Sequence, residues 1–361
     1  MNKAISKEQV LNEFDQPIKG VSLWQDAWRR LKKNRMAIIG LVVVSLYGII
    51  SLAAPILPIH SYKYQVLDHQ YLPPSIAKTA GELYYNRIEK QLTALAAKAG
   101  RSSLNSEERE KLLDIKQRLH TETVVIDGKT VLVHHRRYLL GTDYLGRDML
   151  ARIIYGGQIS IMIGLIGTVT SVLIGIILGS IAGFMGGTVD YIIMRIVDVI
   201  YGLPYMMLVI IFMAIFGRNI FNLFFALAIV SWLTVARVVR GQIMSLKNAE
   251  FVESARSSGA STGRIIFRHM LPNTLGVIII FSTLRIPTFI MLEAFLSFLG
   301  LGVSAPLASW GSLVGDAVEG MNLYPWRLLF PALAMSIFLF FMNFLGDGLR
   351  DALDPQSKNR L

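Results

Sequence analysis

Two ionisable residues interrupt an apolar run: Arg285 and Glu293 lie within Leu275–Leu301. Charge is costly in hydrocarbon, so such groups face a polar cavity, a partner helix or a second subunit. Their spacing of eight sets them on roughly one helix face. A second cluster, Asp143, Arg147 and Asp148, precedes another apolar run, where two acids and an arginine can pin a turn by ion pairs and serve as a turn or gate. Hydrolysis has no visible constellation. His60, His69, His120, His134, His135 and His269 all lie outside the apolar runs, and neither HExxH nor GxSxG occurs. Cysteine is absent, which excludes thiolate metal sites and cysteine nucleophiles. With no GxxxxGK[ST] phosphate loop, the chain is expected to bind no nucleotide, metal or other cofactor itself.

The elements that position these residues read as membrane helices. Hydrophobic residues make up 53% of the 361 and charged ones only 17%, with a mean hydropathy of +0.49. Six segments are candidate spans: Met36–Leu57, Ile159–Phe184, Pro204–Phe216, Ile220–Val235, Leu275–Leu301 and Trp326–Leu345. A span needs roughly 20 apolar residues, so the third and fourth are short, and a re-entrant hairpin is their rival reading. Pro287 predicts a kink in the fifth. The first run starts at Met36 and is too long for the apolar core of a signal peptide.

Charge sets the expected orientation. Residues 1–35 hold eight Lys/Arg against four acids, and loop 237–273 holds six against two. Segment 302–325 has no basic residue, only Asp316 and Glu319. Basic flanks face the cytoplasm, so both termini and the loop are expected inside and residues 58–140 outside. The net charge of +11 follows the membrane flanks, which argues against nucleic acid as a partner. Before the first span, Ser22 and Gln25 fit a capping box. Trp24, Trp28 and Leu31 recur at helical spacing opposite basic residues, as in a helix lying among headgroups.

The insert 58–140 reads as a small α+β unit. Glu82–Lys98 and Glu107–Leu119 are helix-like with Gly100 between them, and Asp127-Gly128 predicts a tight hairpin turn within Val124–Val133. In the second span Gly167, Ser171, Gly175, Gly179, Gly183 and Gly187 recur every four residues. Small residues at that spacing let helices approach closely, along a seam that winds round the helix and can touch more than one neighbour. Asp190, Arg195 and Asp198 fall in a short, structural inner-side segment.

The loop between the fourth and fifth spans is the most specific segment. Asn248 can cap a helix running through Ser258, Gly259 suits the position after its end, and Ser261 can cap a second short helix ending before Pro272. Two such helices between spans make a cytoplasmic docking knob able to pass rigid-body motion to the membrane.

Glu253-Ser254-Ala255, three residues, Gly259, nine residues, His269-Met270-Leu271-Pro272 resembles the EAA loop of bacterial ABC importer permeases. Ser254 replaces an alanine of that pattern and His269 an isoleucine; His269 reads as a marker of the peptide branch. Gly141-Thr142-Asp143-Tyr144-Leu145-Gly146-Arg147-Asp148 resembles the signature of the second, C-type permease subunit of dipeptide, oligopeptide and nickel importers. So do Phe295–Gly302, Trp310-Gly311 and Asn343–Pro355. The resemblance spans most of 141–355 and implies an all-α integral membrane protein: six helices of the type I ABC importer permease fold with an α+β extracytoplasmic insert. The implied layout is a tail 1–35, helix 1 at 36–57, insert 58–140, permease core 141–345 and tail 346–361. It further implies half of a translocation path in a bacterial inner membrane. The partners would be a second permease subunit, two ATPase subunits carrying ATP and magnesium, and an extracytoplasmic binding protein. Glu253, Ser254, Ala255, Gly259, His269, Leu271 and Pro272 would couple to the ATPase. For a peptide substrate, Arg285 would meet a C-terminal carboxylate and Glu293 an N-terminal amine; nickel chelates or other small solutes are the alternative. A secondary transporter would show internal repeats and a midplane acid, whereas no convincing repeat is present and Glu293 lies off-centre.

Overall fold

The computed structural model describes residues 23–126 and 128–353; Ser22, Asp127, Asp354 and Pro355 lie outside them. Helix α1 (Leu23–Lys33) turns Ala27 and Leu31 against Ala352 and leaves Trp24 and Trp28 half exposed. Asn34 then caps α2 (Arg35–Leu52), accepting the Ala37 N–H at 3.2 Å. Beyond α2 the insert folds as α3 (Ala80–Lys98), α4 (Ser106–Thr121) and a hairpin of β1 (Thr123–Ile126) and β2 (Lys129–Leu132). Thr79 with Glu82 and Asn105 with Glu108 form capping boxes at the two helix starts.

The bundle begins with α5 (Met149–Met185), whose 37 residues span about 55 Å. That length exceeds a hydrocarbon core of about 30 Å, so α5 projects well beyond the apolar run read from the sequence. Helices α6 (Gly187–Tyr201) and α7 (Tyr205–Phe216) follow, bent by 83° across Gly202-Leu203-Pro204. Because of that bend α6 does not simply lengthen the short third span. Among the described residues, five helices are long and apolar enough to cross a membrane, and a sixth span exists if α6 and α7 count as one broken helix. Helix α8 (Ile220–Leu246) leads to the short α9 (Glu250–Ser257). The fifth span is α10 (Leu271–Thr283) and α11 (Arg285–Phe298). Pro287 has no N–H to offer the Thr283 carbonyl, and the helix breaks between them at Leu284. Helix α12 (Trp310–Val318) dips back into the bundle and α13 (Trp326–Leu353) closes it against α2.

The small-residue seam of α5 has a physical task. A Cβ on Gly175 would come within 2.5 Å of Val235, one on Gly179 within 2.5 Å of the Ala236 carbonyl, and one on Gly183 within 2.8 Å of the Arg240 carbonyl, all on α8. One turn set further along, Gly167 meets Phe289 of α11 at 2.9 Å, so the seam does wind from one neighbour to another. Gly187 meets nothing within 4 Å and is no part of the contact. Gly179→Ala is expected to lower stability by about 1–3 kcal/mol, because backbone rather than a movable side chain must give way. Gly241→Ala on α8, with open space around it, is expected to gain about 0.5–1 kcal/mol from helix propensity. Melting temperatures of the purified variants in detergent test both.

Candidate functional site

Three stations along the bundle hold the residues singled out above. The first lies between α8 and α10. On α9, Val252 and Ala255 turn inward onto Val239, Ile243, Ile265 and Met270, while Glu253, Ser254 and Arg256 stay exposed. Helix spacing alone produces this division: residues three apart share a face and their neighbours point away. The helix starts one residue later than Asn248 allows. Its N-cap is Ala249, whose methyl side chain offers no acceptor, and the Ala249 N–H donates back to the Leu246 carbonyl. Gly259 adopts φ +78°, the left-handed turn that ends α9. Ser261 accepts the Arg264 N–H and caps the next turn, Thr262–Arg264. No second short helix ends before Pro272. A π-helical stretch, Ile265–Met270, runs straight into α10, so Pro272, the second residue of α10, lies within continuous helix. Leu271 is buried, Pro272 is exposed and His269 is half-buried.

The second station is a cavity of roughly 380 Å³ between α6, α7, α8 and α11. Its polar wall is made by Tyr201, Tyr205, Ser231, Thr234, Thr288 and Arg285. The Tyr201 hydroxyl sits 2.9 Å from Thr234 Oγ1, and the Tyr205 hydroxyl 3.3 Å from Ser231 Oγ. Arg285 is the cation of this wall, and among the described residues no carboxylate pairs with it. Glu293 does not join it. Eight residues of α-helix rotate by about 800°, which is 80° past two full turns. That rotation carries Glu293 off the cavity face and under α12. There it is fully buried, accepting the Ser297 and Ser309 hydroxyls, each at 2.6 Å. Gly311 lies against Ala294 and Glu293, and the Trp310 indole donates to the Ile153 carbonyl at 3.0 Å. The Trp-Gly pair and Glu293 thus fasten α12 between α11 and α5.

The third station is the turn before α5. Asp143 is buried; its Oδ1 accepts the N–H groups of Leu145 and Arg147 at 2.8 and 2.9 Å. Its Oδ2 accepts Arg147 Nε at 2.7 Å and Arg152 Nη1 at 2.6 Å. Asp143, Arg147, Asp148 and Arg152 are all at most 4% exposed, although they lie outside the apolar run. Arg152, hidden among apolar residues of the first turn of α5, gave no pattern to read. Asp148 makes no ion pair of this kind; it caps α5, accepting the Leu150 N–H at 3.0 Å. The insert is tied to the same turn, where the Tyr71 N–H donates to the Asp143 carbonyl and the Thr142 N–H to the Leu72 carbonyl.

Burial pushes the Asp148 carboxyl, just outside the span, up to about 7, with the Leu150 and Ala151 N–H groups and Arg136 pulling the other way. The ordinary value in the unfolded chain is 3.8. Between those values the folded state holds the extra proton, so stability falls as pH rises from about 4 through 7. Asp148→Asn keeps the cap and removes the ionisation. It is expected to match the parent near pH 4 and to exceed it above pH 7 by on the order of 2–4 kcal/mol. Melting curves at the two pH values read the difference.

In the insert, His69 lies between Tyr138 and His134, and His134 reaches Glu122 at 3.1 Å. Burial, with His134, Arg136 and Arg87 nearby, lowers His69 to about 3, so the His69 ring is neutral at physiological pH. Asp68, Glu122 and His134 have metal-like proximity, but Arg118 already binds Asp68 at 2.9 Å and Glu122 at 3.0 Å.

Residues 175–359 match the family described as binding-protein-dependent transport system inner membrane component. Residues 22–74 match the N-terminal TM domain of oligopeptide transport permease C. The oligopeptide transport system permease protein OppC of Bacillus subtilis (strain 168) is 37% identical over 338 residues, covering 94% of this chain and 91% of that protein. The dipeptide transport system permease protein DppC of the same organism is 37% identical, covering 93% and 87%. OppC of Escherichia coli (strain K12) is 37% identical, covering 97% of each. An inward-facing structure of the MetNI methionine ABC transporter aligns with 57% of this chain and 98% of its own, at TM-score 0.47 and 16% identity. By the family match over half of its length and these relatives over more than nine-tenths of it, the chain belongs to the inner membrane component family of binding-protein-dependent transport systems, as a multi-pass permease subunit rather than an enzyme.

Proposed function

We propose that this chain forms half of the translocation path of an ATP-driven importer of short peptides. The observation that carries the peptide reading is the cavity at Arg285, where one unpaired cation is surrounded by hydroxyl groups and apolar wall. Such a site suits a substrate with one carboxylate, several amide groups and variable side chains. The names of the oligopeptide and dipeptide relatives support the same substrate class. In this reading the chain works in a bacterial inner membrane beside a second permease subunit. Two ATPase subunits carry ATP and magnesium, and a binding protein delivers peptide on the side of the insert. Both termini and α9 face the cytoplasm. Glu253, Ser254 and Gly259 meet the ATPase, with Ala255, His269, Leu271 and Pro272 setting that element on the bundle. Closure and reopening of the ATPases shift the permease pair between outward-open and inward-open populations.

The test is uptake of a labelled tripeptide into proteoliposomes holding the chain with its partner subunits and binding protein. Uptake is expected to require ATP. Uptake that persists without the ATPases sinks the reading, and uptake of a nickel chelate in place of peptide changes the substrate. Arg285→Ala is expected to slow peptide uptake by about tenfold, the scale of one charge-assisted hydrogen bond. The assembled complex, checked by size exclusion, should be intact; unchanged uptake by that complex removes Arg285 from the path.

A further inference from the structure

A second cavity, of roughly 300 Å³, opens on the insert side of the bundle. The buried turn before α5 forms one wall, through Tyr144, Arg147 and Arg152, and the loop after α11 forms the other, through Val303, Ser304 and Ala305. Arg147 and Arg152 are 1% and 2% exposed and share a single buried carboxylate, Asp143. That sharing leaves donors over: Arg147 Nη2 and Arg152 Nε are buried and have no acceptor among the described residues. The next carboxylate, Asp316, stands 3.9 Å from Arg152 Nη2, beyond hydrogen-bond reach, and its side chain is 41% exposed. The nearby hydroxyls of Ser297 and Ser312 are committed to Glu293 and to the Ser309 carbonyl. Two desolvated guanidinium groups with spare N–H groups on the wall of an open cavity are a ready site for an oxyanion, because buried donors seek acceptors and guanidinium matches a carboxylate in shape.

We propose that this cavity receives the C-terminal carboxylate of an incoming peptide on Arg147 and Arg152, ahead of the cavity at Arg285. The inference rests on the peptide-import reading for the identity of the anion. Geometry favours a relay of two cationic stations: Ser297 beside this cavity and Arg285 in the other stand at opposite ends of α11, about 18 Å apart at helical rise. Both stations can therefore hold a carboxylate at successive stages of transit without competing for one.

The experiment uses the assembled permease–ATPase complex in nanodiscs, without binding protein, titrated calorimetrically with trialanine and with trialanine amide. Trialanine is expected to bind at least about tenfold more tightly than its amide. Arginine substitutions at 147 or 152 risk misfolding, so the decisive variants sit at the exposed cavity mouth. In the Arg285→Ala background, which silences the other cationic station, Ser304→Glu, which offers the guanidinium groups an internal carboxylate, is expected to erase the preference. Ser304→Gln, of similar size and no charge, is expected to keep it. Equal binding of acid and amide by the parent, no binding of either, a preference that survives Ser304→Glu, or equal loss in both variants overturns the proposal. Uptake in proteoliposomes is measured separately: absence of ATP-dependent uptake of either peptide removes the importer reading itself, whereas uptake without the binding preference removes only this site.

Discussion

Asp143→Ala is expected to destabilise the subunit by about 3–5 kcal/mol, the scale measured when one partner of a buried ion pair is removed. Asp143 answers two guanidinium groups and two backbone N–H groups at once, all within 2.9 Å. Its loss leaves Arg147 and Arg152 charged and buried, with only the half-exposed Asp316, 3.9 Å from Arg152 Nη2, as a counter-ion, and it unties the turn that holds the insert at Tyr71. Against a total stability of about 5–15 kcal/mol, the yield of folded, monodisperse protein should collapse or its melting temperature drop sharply. Asp143→Asn retains an oxygen for the two N–H groups and should fall in between. Replacing all three, Asp143→Leu with Arg147→Met and Arg152→Met, should recover part of the loss, because a neutral cluster needs no counter-charge. A single Asp143→Ala variant that melts with the parent would mean that water screens the cluster.

Much of the architecture is legible in the chain because hydrocarbon imposes a coarse code. Long uncharged runs mark α2, α5 and α13, and a four-residue rhythm of glycines marks the face of α5 that meets α8. The insert follows ordinary soluble rules, so α3, α4 and the hairpin lie where capping residues and Gly128 put them. What the apolar code misses is polar structure at its edges. The start of α5 carries Arg152 among Met149, Leu150 and Ile153, which dilutes the apolar signal although the turn is buried. Helix α12 is too short for a span and too apolar for a loop, and Trp310 is held by partners 150 and 157 residues away, at Ser160 and Ile153. The separation of Arg285 from Glu293 is a matter of phase: a spacing of eight looks like one face until the residual 80° decides which neighbour each side chain meets. Asp148 has the right composition for an ion pair, and only the start of the helix at Met149 makes it a cap.

Glu253→Arg is expected to leave the fold intact and to cut peptide uptake by more than tenfold while the assembled ATPases go on hydrolysing ATP, or else to release them from the complex. The two faces of α9 separate these effects. Glu253 is exposed, so its substitution should change stability by no more than about 0.5 kcal/mol. Val252, on the opposite face, is fully buried with Ile243 of α8 and Met270 ahead of α10. A load applied to the Glu253 side can therefore reach both flanking helices through packed side chains, which transmit displacement because cores are close-packed. Gly259, at φ +78°, sets the turn that ends α9. A Cβ there meets nothing within 4 Å, so Gly259→Ala acts through φ alone, at about 1–2 kcal/mol for a left-handed residue. That cost favours a re-aimed turn between α9 and the stretch after Ser261, and uptake should fall with it. Ala255→Glu, which forces a charge into the buried face, should instead reduce the yield of folded protein. Uptake and ATP hydrolysis measured on the same proteoliposomes separate these outcomes. Normal uptake in both Glu253→Arg and Gly259→Ala would leave α9 as a packing element without a share in coupling.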